Sequence, residues 1–162
     1  MKVVLQRVSE ASVGVVNELG SLDPTFEQQQ IAPGFMILVG VTDEDGDKQI
    51  AWLAHKILNL RVFEDAQGKM NRSVQDIGGE ILSIPQFTLF ADVHKGNRPS
   101  FIKAGKPEHA DLMWIKFNEA LRSGGVPVKE GRFGAHMRVG LVNDGPVTIV
   151  IDTEHDMPDG TR

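Results

Sequence analysis

No cysteine occurs among the 162 residues. Its absence excludes disulfides, thiolate nucleophiles and cysteine-based metal sites, and leaves the redox compartment open. Long apolar runs are missing as well. Arg7 interrupts the apolar N-terminal stretch, and no segment has the length of a membrane span or the layout of a signal peptide. A cytoplasmic protein is the expectation. The five histidines, His55, His94, His109, His136 and His155, fall in no metal-ligand spacing, so neither a metal nor a cofactor is expected. No glycine-rich phosphate loop follows a strand pattern, Gly78-Gly79 reading as a plain turn, and there is no nucleophile elbow. Repeats and linkers are absent too. The chain therefore reads as one domain over residues 1–152, followed by a short, loose polar tail at 153–162.

What is present is ordinary in bulk and unusual in detail. The apolar fraction of 41% and charged fraction of 24% suit a soluble globular domain long enough for a real core. A net charge of −5 argues against a surface that binds nucleic acid everywhere. Residues 94–106 form one basic run without a carboxylate, carrying His94, Lys95, Arg98, Lys103 and Lys106. Such a run is either a solvated loop or a local grip on phosphates.

Strand-like and helix-like patterns alternate. Residues 2–8 and 11–16 read as two short strands joined by Ser9-Glu10, and 17–33 as a polar loop. Residues 35–41 form an apolar strand. Ile50, Leu53, Ala54, Ile57 and Leu58 recur at helical spacing over 47–60. A turn-rich connector at 64–79 leads to a strand at 80–90. Pro107 opens a second helix to about Arg122, with Leu112, Ile115, Lys116 and Ala120 as inward or snorkelling positions, and Gly124-Gly125 ends it. Strands at 126–129, 136–142 and 147–151 complete an α+β reading: a mainly antiparallel, barrel-like sheet with two packed helices.

Two segments stand out. Residues 141–148, Leu-Val-Asn-Asp-Gly-Pro-Val-Thr, and 85–89, Pro-Gln-Phe-Thr-Leu, each set a polar, turn-capable element against an apolar run. Gly145-Pro146 is suited to a cis bond in a tight turn, which would present carbonyls and a rigid ring without any reactive side chain. Thr88 is the side-chain nucleophile candidate, on the same strand face as Gln86. Taken singly, the first segment reads as a hairpin turn and the second as the wet face of a strand.

Together, and with Gln6-Arg7-Val8, Gly68-Lys69-Met70-Asn71, Gly79-Glu80-Ile81-Leu82, Arg98-Pro99-Ser100-Phe101 and Gly131-Arg132-Phe133, they resemble the D-aminoacyl-tRNA deacylase family over nearly the whole chain. Two features depart from it. Pro85 stands where the family usually has serine, a start more typical of a related animal-like branch, and the loop at 17–30 is longer than usual.

The resemblance implies a homodimer with active sites at the subunit interface and an aminoacyl ester on the 3′-terminal adenosine of tRNA as substrate. It implies that Gly145 and Pro146 of one copy enter the site of the other and crowd the place of an L side chain. Glycine would pass such a wall. Gln86, Phe87 and Thr88 are the implied catalytic segment, with backbone N–H groups near Gln86 and Phe87 as oxyanion donors. Arg7, Phe87, Met137 and Asn143 are the implied substrate-binding residues. Thr88 either attacks directly or holds the ester while the substrate's own 2′-hydroxyl helps activate water. The animal-like branch, acting on misplaced small L-amino acids, and a catalytically silent binder of the tRNA 3′ end remain as alternatives.

Overall fold

The longest ladder of the computed structural model, which describes residues 1–158, joins two strands from opposite ends of the sequence. β1 (Lys2–Val15) pairs antiparallel with β8 (Met137–Asp152) from Lys2↔Asp152 to Val15↔Met137. Also antiparallel to β1 run β2 (Gln29–Ile31) and β3 (Gly34–Gly40). They keep one register against it, Ile31↔Ala11 and Gly34↔Val8, and amount to one strand broken at Ala32-Pro33.

The rest of the sheet is parallel. α1 (Asp47–Asn59) and the small hairpin of β4 (Phe63–Glu64) and β5 (Met70–Arg72) carry the chain over to β6 (Glu80–Pro85), which pairs parallel with β3. α2 (Pro107–Ser123) carries it again to β7 (Val128–Glu130), parallel to β6. A crossover helix returns the chain to the end of the sheet where it started, and this makes both pairings parallel. The sheet is thus mixed, antiparallel around β1 and parallel beyond β3. β2 packs back against β6 and β7, which nearly closes the barrel.

Strand alternation separates two cores. Val3, Leu5, Phe35, Ile37, Val39 and Ile81 face α1 and α2. Val8, Ala11, Val13, Met36, Leu82 and Ile84 line the barrel side, with Met137, Val139 and Leu141 of β8 packed on them. Val4, Leu38 and Val150 are register neighbours on the face without helices, where Val150 remains 60% exposed.

Several sequence expectations are corrected. β1 is one strand, its irregularities near Arg7 and Ser9 being register shifts rather than a break. The strand expected over 80–90 stops at Pro85, and Phe87–Phe90 wind into a 3₁₀ turn. Proline cannot extend a ladder as a donor, so a strand end is its natural place. Leu112 and Ile115 face solvent, because Met113, Trp114, Phe117 and Leu121 set the buried stripe of α2. Residues 143–146 are not a hairpin turn: β8 is continuous from 137 to 152. The tail expected from residue 153 begins with α3 (Thr153–Asp156), a single helical turn, and Thr153 and Met157 are buried. Its residues 159–162 lie outside the described residues.

Candidate active site

The ladder of β8 on β1 breaks between Val8↔Asn143 and Gln6↔Thr148, so residues 144–147 all stand opposite Arg7. The surplus bulges from the sheet and carries Gly145-Pro146, whose peptide bond is cis. Gly145 has φ +139°, and a Cβ there would lie 2.8 Å from Val147 Cγ2 and 2.9 Å from Val147 N. Only glycine fits without strain.

Side chains on both sides of the bulge are engaged in holding it. The buried Arg7 guanidinium donates to the Asp144 carbonyl at 2.8 Å and the Val62 carbonyl at 2.6 Å. Asn143 accepts from the Val147 N–H at 3.1 Å and donates to Thr148 Oγ1 at 3.1 Å. Gln6 donates to the same hydroxyl at 3.3 Å. Arg7 and Asn143, expected to bind substrate, both hydrogen-bond the bulge.

The segment after β6 is arranged in the opposite manner. Gln86 donates its backbone N–H to the Val39 carbonyl at 2.7 Å, so it is not free as an oxyanion donor. The N–H groups of Phe87 and Thr88 have no hydrogen-bond partner among the described residues. Phe87 is 57% exposed, and the Thr88 hydroxyl accepts a hydrogen bond from the Gln86 side chain. No carboxylate or imidazole bonds to that hydroxyl among the described residues. Two packing contacts hold the turn. Gly40 lacks a Cβ where the Phe90 ring passes, 2.8 Å from where one would stand. Phe101 meets Phe87 edge to face at 5.1 Å between ring centroids.

The structure therefore gathers Arg7, Asn143, Gly145 and Pro146 in one group, and Gln86, Phe87 and Thr88 in another. Met137 joins neither. It sits at the far end of the ladder opposite Val15, its sulfur accepting from the Arg132 N–H at 3.4 Å. Phe101, Thr148 and the Val62 carbonyl enter the site's framework without having been singled out by role. Asp152, Glu154 and His155 converge within 4.8 Å. Asp152 is already engaged there by Lys2 at 3.2 Å and by the Glu154 N–H.

An exposed pair of unpartnered amides beside a hydroxyl suits hydrolysis of an ester, and a barrel-like α+β sheet carries it. The family model described as D-Tyr-tRNA(Tyr) deacylase matches residues 4–152, and the chain belongs to that family of hydrolases. It is 96% identical over 162 residues, the whole of both chains, to a D-aminoacyl-tRNA deacylase of Bifidobacterium longum subsp. infantis. It is 53% identical to one of an Exiguobacterium species, covering 94% of this chain and 98% of that one. Among solved structures, the c-Myc DNA Unwinding Element Binding Protein superposes with a TM-score of 0.81 at 44% identity, covering 94% of this chain and 98% of that one. A probable eukaryotic D-amino acid tRNA deacylase superposes at 0.76 with 17% identity, which shows the shared fold. That match covers 93% of this chain and 97% of the other.

Proposed function

We propose that the protein hydrolyses the ester of D-aminoacyl-tRNA, and of glycyl-tRNA, as a homodimer in which each copy supplies the chiral gate of the other. The observation that carries this reading is the pair of free amides at Phe87 and Thr88, set on a rigid turn at the surface. Attack on the ester carbonyl builds negative charge on its oxygen, and each donor aimed at that charge contributes roughly 10²–10³ in rate. No base bonds to the Thr88 hydroxyl among the described residues, which favours Thr88 positioning the ester while water activated with help from the terminal 2′-hydroxyl attacks. The acyl–oxygen bond breaks, releasing the free amino acid and the 3′ end of tRNA.

Register supports the gate acting between copies. Gly145-Pro146 stands level with Arg7, Phe35 and Ile81, three strand spacings and five residues from Gln86. That is about 14 Å across the sheet and about 16 Å along it. A second copy docked on the face without helices, against Val4, Leu38 and Val150, and along the long free edge of β8, would bring the two segments together. A bulge of backbone then rejects L side chains by collision, which discriminates more strongly than one favourable methyl contact of about 1–3 kcal/mol. Glycine has nothing to collide.

The test is deacylation of tRNA carrying D-Tyr, Gly or L-Ala. Turnover of D-Tyr and Gly with L-Ala spared supports the reading. Turnover of L-Ala in preference to D-Tyr identifies the animal-like specificity instead, and no turnover of any identifies a silent binder.

A further inference from the structure

The chain bears a net charge of −5 and has to approach a polyanion. On one side of the catalytic turn, a cleft of about 790 Å³ beside Phe90 is lined by Asp43, Glu44, Asp45, Asp152 and Glu154 together with Lys2 and Lys103, and its cations are partly spent on its own carboxylates, the N-terminal ammonium on Asp45 and Lys2 on Asp152. Among the described residues it offers phosphates no cluster of unpaired cations. On the other side, residues 93–99 leave the body as a hairpin excursion. Its base is closed by Asp92 and Ser100, which exchange two backbone hydrogen bonds of 2.7 and 2.9 Å. The turn uses Gly96 at φ +69°, and residues 93–99 are all exposed.

The tip of that excursion carries Lys95 and Arg98. Neither has an ion-pair partner among the described residues, whereas Arg122 and Arg132 are each paired. The excursion is also fixed to the site, because Phe101, directly after its base, packs on Phe87. Half of seven residues reaches roughly 10 Å from the base at about 3.3 Å per residue. A tip at that reach from a base packed beside Phe87 is within range of the nucleotides that precede an ester held at Phe87 and Thr88.

The geometry points to Lys95 and Arg98 as a phosphate grip on the single-stranded 3′ end of tRNA, one or two nucleotides before the terminal adenosine. This inference rests on the deacylase reading above. Contacts of this kind position the chain without reading bases, so they serve every tRNA alike. The acidic remainder of the surface keeps the RNA body away.

The experiment compares two substrates: D-Tyr-tRNA and the D-Tyr ester of adenosine, which has no phosphate. The variants are Lys95→Glu/Arg98→Glu and the milder Lys95→Gln/Arg98→Gln. With the reversed variant, kcat/KM on D-Tyr-tRNA should fall about tenfold, mostly through KM and by the same factor for different tRNAs. The salt dependence should flatten by roughly 0.7 per lost phosphate contact. The neutral variant should fall between, and kcat on the adenosine ester should not change. An equal loss on both substrates, or no loss on tRNA, overturns the grip. If the unaltered protein cleaves neither substrate, the deacylase reading itself has failed, a result distinct from either.

Discussion

The bulge at 144–147 and the turn at 86–88 are built on opposite principles. In the bulge Arg7, Gln6, Asn143 and Thr148 are all engaged, and two carbonyls are held by one buried guanidinium. In the turn two amides are left open and an aromatic ring faces solvent. A gate that measures shape must not move and needs no reactive group, so its hydrogen bonds are spent on itself. A site that receives developing charge must keep its donors free. The comparison assigns stiffness to one region and chemistry to the other, and it can be broken at either end.

The largest effect is expected from Arg7→Ala. It leaves the Asp144 and Val62 carbonyls without their donor and opens a cavity, which should lower stability by about 2–4 kcal/mol. Discrimination between D- and L-aminoacyl esters should collapse. Denaturant unfolding and the ratio of the two rates measure both, and a stable variant with full discrimination would separate the bulge from the gate.

Thr88→Ala should lower kcat by about tenfold to a hundredfold without changing stability. That is far short of the roughly 10⁶ lost when a true nucleophile is removed. Removing the 2′-hydroxyl of the terminal adenosine should harm more. An acyl-enzyme trapped on Thr88 would reverse the assignment.

Asn143→Ala is milder. It frees the Val147 N–H and leaves the Thr148 hydroxyl only its bond from Gln6, at a cost of about 1 kcal/mol, and discrimination should drop less than for Arg7→Ala. Unaltered stability and unaltered discrimination together would show that Arg7 alone holds the bulge.

The smallest effect lies away from both regions. The Thr25 hydroxyl and N–H, followed by Arg132, hold the Asp23 carboxyl below its ordinary value of 3.8. A carboxylate with a lowered folded-state pKa contributes stability above its unfolded value, and this is lost as pH falls through the folded one. The difference in melting temperature between the unaltered protein and Asp23→Asn should therefore shrink below about pH 3.8. A difference that grows with acidity would contradict it.

Much of this was legible in the sequence, and the exceptions share a cause. The buried stripe of α1 followed from spacing alone, because an amphipathic helix writes its own period. The stripe of α2 did not, since Leu112 and Ile115 offer a competing phase that only packing on Ser83 and the sheet resolves; Trp114 donates to Ser83 there at 2.9 Å. Residues 143–146 carry local turn chemistry, yet their conformation is decided by Arg7, more than 130 positions away. The same holds for Gln86: nothing local shows that its N–H is taken by Val39. Side chains on strands report their own face, whereas bulges and occupied donors are properties of the partner strand.

The central claim is that the stiff region of one copy completes the open region of another. Heterodimers of an unaltered copy and a copy carrying both Thr88→Ala and Gly145→Ala test it directly, assayed on D- and L-aminoacyl-tRNA. If the gate acts between copies, the one efficient catalytic turn faces the damaged gate, and the heterodimer should hydrolyse the L ester faster than either homodimer does. If the heterodimer keeps the full D selectivity of the unaltered protein, the gate acts within one copy and the account is wrong.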